Sequence, residues 1–438
     1  MMNRKQKILM FLTVLASAVY AKEYSLEDCF RSAAASSSRL AILRDETDKC
    51  RVSEKAAAGT FTPEITASGT FRYASTAPEV DISQINPMLG TIEMGKKNSG
   101  DLALSLNEVI FSGMARVYVV KLAQKSVETA LLNEEIQSDA LCETVLQLAY
   151  SYKLSQLDIE SVDAGITRLK LNQERIRSFY DQGLLPQYDL LDIRSKVQEQ
   201  ESRKLSLESA RQNVLIQLAS VTGLSDITSV TLSPEYMEIC PEESLDDAAG
   251  RLSKNLSLLV LQQNQDSAAL VKKRNAAGFL PVIAGSGTFH YANPGLDYTG
   301  NDWESYYTIG VSTSLDIWDK GEKLCRLKTD ELSIQETRSA RTDAFHSLQC
   351  ELQQTMESLH TAGKQEVLSE SLFEMKTGQY DLVESLWKQG QKSTLDVLTA
   401  GQELTAADIS VKNCRIQYLS LYQRILLLLD EPFWKKEI

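Results

Sequence analysis

Ser68-Gly69-Thr70-Phe71-Arg72-Tyr73-Ala74 and Ser286-Gly287-Thr288-Phe289-His290-Tyr291-Ala292 are near-copies of one another, 218 residues apart. Pro63 and Pro281 stand at the same spacing, as do Ser25-Leu26-Glu27-Asp28 and, one residue off, Ser244-Leu245-Asp246-Asp247. Each heptapeptide lies in a run that alternates with period two. Ile65, Ala67, Gly69, Phe71 and Tyr73 fall on one face, and Glu64, Thr66, Ser68, Thr70 and Arg72 on the other, which is the pattern of a strand with one apolar side. A second alternating run comes after each, with Leu102, Leu104 and Leu106 in the first copy and Tyr307, Ile309, Val311, Leu315 and Ile317 in the second. Each copy therefore supplies a hairpin of two long strands.

Working outward, further matches (Phe111 with Trp318, Gln182-Gly183 with Gln389-Gly390, Asp189 with Asp396) keep a spacing of 207. The chain reads as two tandem copies of one unit. The prolines locate the rest. None stands between Pro87 and Pro186, or between Pro294 and Pro432, so nothing forbids long helices there. From 141 to 180 the heptad positions Leu141, Val145, Leu148, Tyr152, Ser155, Ile159, Val162, Ile166, Leu169, Gln173, Ile176 and Tyr180 are apolar or aromatic in ten of twelve cases, which is coiled-coil spacing. A helix from 113 to 181 is on the order of 100 Å long at about 1.5 Å per residue. Breaks at Gln182-Gly183-Leu184-Leu185-Pro186 and Gln389-Gly390-Gln391-Lys392-Ser393 reverse the chain, giving two long helical hairpins.

The expected order is thus a first repeat over 22–242, with helices in 25–60, strands at 61–75 and 99–111 and a helical hairpin over 113–222. The second repeat covers 243–438, with helices in 244–278, strands at 281–292 and 305–318 and a hairpin over 320–430. Residues 1–21 read as a signal peptide, with a basic stretch Asn3 to Lys7, an apolar run Ile8 to Val19 and a small-residue cleavage site before Lys22. The protein is expected to be exported.

Composition narrows the function. A net charge of -13, or -16 without residues 1–21, argues against a nucleic-acid partner. Seven scattered cysteines with no CxxC pair, and only three histidines (His290, His346, His360), offer neither a zinc site nor a catalytic constellation. No HExxH, GxSxG or P-loop pattern occurs, so no enzyme, cofactor or metal is expected. Four amphipathic strands in an exported chain read as transmembrane β, since about nine to eleven tilted residues cross a bilayer. Four strands cannot close a barrel, and open edges are not tolerated in lipid, so other copies must complete it. Three copies would give twelve strands. A soluble hairpin platform beneath a coiled coil fits the periodicity as well.

These segments together resemble the TolC-like outer-membrane efflux protein family. The similarity runs through Tyr24-Ser25-Leu26-Glu27-Asp28, Phe61-Thr62-Pro63, Phe111-Ser112-Gly113, Trp318-Asp319-Lys320-Gly321, both glycine turns and Val221-Thr222-Gly223-Leu224. The resemblance implies an α+β membrane protein: a homotrimer whose twelve-stranded β-barrel sits in outer-membrane lipid and continues into a periplasmic α-barrel of helical hairpins. It implies an exit duct, for efflux or type I secretion, serving an inner-membrane transporter and a periplasmic adaptor. By the same resemblance the periplasmic gate would involve Asp189, Asp192, Trp387, Lys392 and Asp396, with Lys392 in place of an Arg that ties neighbouring helices shut. Asp396 repeated by three-fold symmetry would make an acidic ring. Thr399 stands where the family pattern has a second acid. The tips Gln182, Gly183, Leu184, Gln389, Gly390 and Gln391 would dock the adaptor. Helix capping is the other reading of the two aspartates, since both stand a few residues after a turn. A periplasmic adaptor or coiled-coil scaffold without a channel is the alternative function.

Overall fold

The computed structural model describes residues 22–77, 79–81, 91–93, 95–237, 248–297 and 302–436. The segment read as a signal, Ser244 to Asp247 and Cys240 lie outside them. In chain order the elements are β1 (Lys22–Ser25), α1 (Leu26–Ser36), α2 (Ser38–Gly59), β2 (Glu64–Tyr73), β3 (Glu79–Asp81), β4 (Thr91–Glu93), β5 (Asn98–Phe111), α3 (Ala115–Asp181), α4 (Gln187–Thr222) and β6 (Ile227–Thr231). Then come α5 (Ala248–Arg251), α6 (Leu256–Ala276), β7 (Val282–Asn293), β8 (Glu304–Ser314), α7 (Glu322–Lys388) and α8 (Thr394–Leu428). Helices α3 and α7 each run for 67 residues.

Two compact units form. One takes residues 44–132 and 260–342 and contains a four-stranded antiparallel sheet in the order β2-β5-β7-β8. Its register aligns the two sequence copies face to face. Ile65 pairs with Leu106, Ala67 with Leu104 and Gly69 with Leu102. Leu102 pairs in turn with Tyr291, and Leu104 with Phe289. Phe289 pairs with Tyr307 and Gly287 with Ile309. Directly opposed residues share a face, so one side of the sheet is apolar across all four strands. Phe71, Ile309 and Val311 on it are 75, 79 and 72% exposed. The other side is polar: Thr288 donates or accepts a hydroxyl hydrogen bond with Ser105 at 3.1 Å, and His290 Nδ1 lies 3.1 Å from Asp101 with its ring stacked on Tyr306. Among the described residues β2 pairs with β5 alone and β8 with β7 alone.

Alternation continues in the sequence through Leu315 and Ile317, but β8 stops at Ser314, short of the 318 expected. Ser314 pairs with Val282, the first residue of β7, so no ladder partner exists beyond it. The helices expected within 25–60 and 244–278 are separated at Ser37 and Asn255. Ser37 takes extended backbone, its N–H donates to Ala33 and its hydroxyl accepts from Leu40 N, ending α1 and capping α2. Asn255 does the same for α6, accepting from Ser257 N at 3.0 Å while its amide donates to the Leu428 carbonyl. Short polar side chains compete with the helix for backbone groups, and here they win.

The other unit takes residues 22–43, 133–259 and 343–436. Helices α3 and α8 pack their seam residues together with α1, α4 and a parallel β1-β6 pair around Phe30, Tyr150, Tyr236 and Trp434. Two buried hydrogen bonds cross this core: Trp434 Nε1 donates to Asp139 at 2.9 Å and Tyr150 OH to the Tyr236 carbonyl at 2.9 Å. Arg424 of α8 joins Glu143 of α3 and Glu351 of α7 at 2.9 and 2.6 Å. Cys142 is buried in this core, and burial pushes its thiol up to about 12. Among the described residues no helix is long and apolar enough to cross a membrane.

Candidate functional site

The two helical turns close in the same way. Gly183 and Gly390 adopt φ of 73 and 75°, the left-handed conformation that a Cβ disfavours. In the first turn Leu184 N donates to the Phe179 carbonyl and Gly183 N to Tyr180, both at 2.9 Å. In the second, Gln391 N donates to Leu386 and Gly390 N to Trp387, again at 2.9 Å. This is the paired-bond helix terminus that glycine favours. Nothing lies within 4 Å of a Cβ built on either glycine, so conformation and not space selects the residue.

The helices that leave the turns start differently. α8 begins with a capping box: Asp396 N donates to Ser393 Oγ at 3.2 Å, and the Asp396 carboxylate accepts from Ser393 N at 3.0 Å and Ser393 Oγ at 2.9 Å. These bonds, first the backbone N–H of Ser393 and then its hydroxyl, hold the Asp396 carboxyl below the usual range, with a smaller contribution from Lys392. α4 begins at Pro186, which has neither an N–H nor a hydroxyl to offer, and its cap has no side-chain hydrogen bond. Asp189 occupies the matching position without a box.

Behind the turns lies a hydrophobic cluster of Ile176, Leu190, Ile193, Val197, Tyr380, Trp387, Val397 and Leu398. Trp387 is 5% exposed and meets the Phe179 ring edge-on at 5.9 Å. Its indole is therefore packed within the hairpin pair. Arg175 reaches Glu384 at 2.5 Å and Lys388 reaches the same carboxylate at 3.0 Å, tying α3 to α7. Burial pushes Glu384 up, but the hydrogen bonds and charges of Lys388 and Arg175 outweigh it and leave the carboxyl below its ordinary value.

Of the eleven residues singled out in the sequence, Leu184, Asp189, Trp387, Gly390 and Lys392 come together around one hollow of about 470 Å³, with Phe179 and Thr394 also lining it. No ion pair joins Lys392 to Asp189 among the described residues. Asp192 is half-buried on α4, one helical turn beyond Asp189. Gln182, Gly183, Gln389 and Gln391 are exposed and Asp396 is half-buried, none lining the hollow. The Arg175–Glu384–Lys388 group escaped sequence reasoning, because its members lie up to 213 positions apart and no period within one helix aligns them. Hydroxyl, carboxylate and ammonium groups here can sort charge and bind a partner.

An amphipathic antiparallel sheet continued by two 67-residue helices is a fold that solved structures share. The outer membrane protein VceC from Vibrio cholerae matches at a TM-score of 0.75 with 16% identity, over 93% of this chain and 96% of that one. The Campylobacter jejuni CmeC outer membrane channel matches at 0.74 with 13% identity, over 93 and 86%. The Neisseria gonorrhoeae MtrE outer membrane channel, in its open state, matches at 0.72 with 13% identity, over 92 and 88%. The fold is that of the TolC-like outer-membrane channels. No protein-family model matches the sequence, and no curated protein does.

Proposed function

We propose that this protein is an outer-membrane exit duct, through which an inner-membrane transporter and a periplasmic adaptor pass substrates to the exterior by efflux or type I secretion. The observation that carries the reading is the sheet: one face apolar over all four strands, the other polar, and each outer strand paired on one side only among the described residues. Soluble monomers rarely leave an apolar patch beyond a few hundred Å² in water. In lipid that face is at home, but each unpaired backbone group at an edge would cost several kcal/mol. Three copies related by a three-fold axis let β2 of each chain pair with β8 of the next, removing every edge in a twelve-stranded barrel. The two tandem repeats supply one strand hairpin and one helical hairpin each.

The helices point to the same assembly. On α7, Leu368, Leu372, Met375 and Leu382 recur at seam spacing and are 41 to 69% exposed. A neighbouring chain's hairpin would cover them. The exposed glycine turns serve as the adaptor-docking tips, and Asp189, Asp192, Asp396 and Lys392 set the charge at the aperture, where acidic rings favour cations. Incorporation into planar lipid bilayers tests the duct directly. Stepwise conductance with a preference for cations is expected; a protein that stays in the aqueous phase and never conducts would be an adaptor or scaffold instead.

A further inference from the structure

At the loop end of the sheet, where β2 finishes and β5 begins, a cavity of about 630 Å³ is lined by Phe71, Tyr73, Trp303, Lys96 and Lys97 among others, and by no carboxylate among the described residues. Trp303 stacks on Tyr291 at 5.0 Å and meets Phe71 edge-on at 6.4 Å. Gly100 makes this possible: a Cβ there would stand 2.7 Å from the Trp303 ring and 2.9 Å from Phe71. Tyr73 and Asn98 pair across the strands, and Ala74 N donates to the Lys97 carbonyl at 2.7 Å, so the lysine segment is anchored to the ladder. Neither Lys96 nor Lys97 has an ion-pair partner among the described residues. Phe71, Tyr73 and Tyr291 all belong to the apolar face by register. Aromatic rings ending an apolar face mark the level at which lipid tails give way to headgroups. Unpaired lysines at that level attract anionic headgroups.

We propose that this cavity binds the phosphorylated, anionic headgroup of a membrane lipid, with Lys96 and Lys97 on the phosphate and the rings of Phe71, Tyr73 and Trp303 against the upper acyl chain. The inference rests on the membrane-spanning reading of the sheet. Arg72 borders the same cavity but belongs to the polar face by alternation, which makes it a built-in control.

The test is quenching of Trp303 in the full chain inserted in vesicles, taken as the difference between the native protein and Trp303→Phe. Phosphatidylcholine vesicles carry equal small fractions of either dibromo-phosphatidylglycerol or dibromo-phosphatidylcholine. The anionic lipid is expected to quench at lower mole fraction, on the order of fivefold per lysine engaged. Lys96→Gln with Lys97→Gln should erase the preference, while Arg72→Gln keeps it. Equal quenching by both lipids overturns the headgroup site and leaves the membrane reading standing. Loss of preference in Arg72→Gln as well, or its abolition by inorganic phosphate, also overturns it, the first indicating net charge alone and the second a soluble anion site. Absence of quenching by either lipid overturns the membrane reading itself. The comparison of the two lipids needs only the native chain and Trp303→Phe, so it stands whether or not the lysine variants fold.

Discussion

The turn at 182–186 and the turn at 389–393 share a backbone but differ in the residue that opens the next helix. Ser393 gives α8 a capping box with Asp396; Pro186 gives α4 a fixed φ and nothing that a carboxylate can accept from. The equivalent acids therefore do different work. Asp396 satisfies the helix start, and its charge is held by that role, while Asp189 faces the hollow without a cap bond. The residues before the glycines diverge as well. Trp387 is 5% exposed and Tyr180, its counterpart at the spacing of 207, is 36% exposed. The second turn sets a buried tryptophan into the cluster behind it, while the first contributes only the partly buried Phe179 and Leu185.

That asymmetry can be broken by substitution. The largest effect is expected from Trp387→Ala, which empties the cluster behind the second turn and should cost about 3–5 kcal/mol. Tyr180→Ala should cost less than about 1 kcal/mol, as a partly exposed position does. Denaturant midpoints of the helical signal compare the two. Next, Ser393→Ala and Asp396→Ala should each cost about 1 kcal/mol, and the double variant little more than either, because both remove one box. Asp189→Ala should leave stability within about 0.5 kcal/mol. Gly183→Ala and Gly390→Ala force the same left-handed strain and should cost about 1–2 kcal/mol each, with equal values for the two turns.

Acid sharpens the comparison further. Asp396 and Glu384 both have folded values below their ordinary ones, so their contribution is fully present above the unfolded carboxyl value of about 4 and fades as pH falls through the lower folded values. Protection of the second turn against hydrogen exchange, after division by the intrinsic exchange rate at each pH, should therefore fall below about pH 4 and stay flat from pH 8 to 5. Glu384→Gln should weaken that response, and exchange at the first turn should depend on pH less steeply.

Much of this was legible in the residues. Period-two alternation located all four strands, because a sheet with one apolar and one polar face repeats on every second residue. It overshot at Leu315 and Ile317, since alternation persists where a partner strand has already ended. The glycines of both turns were legible too. The capping box was written in Ser393-x-x-Asp396, and capping stood as an open reading of that aspartate beside the acidic ring implied by resemblance. The burial of Trp387 and the Arg175–Glu384 bridge were not legible, because each depends on how helices distant in sequence align side by side. The breaks at Ser37 and Asn255 were missed for a local reason: one polar side chain was enough to end a helix whose pattern continued.

The central claim is that four strands per chain close a barrel only when three chains meet. Light scattering of the detergent-solubilised protein, with the detergent mass subtracted, measures this most directly. The account predicts a protein mass of three chains that persists until the sample is heated. A particle of one chain, stable and soluble without detergent, would contradict it.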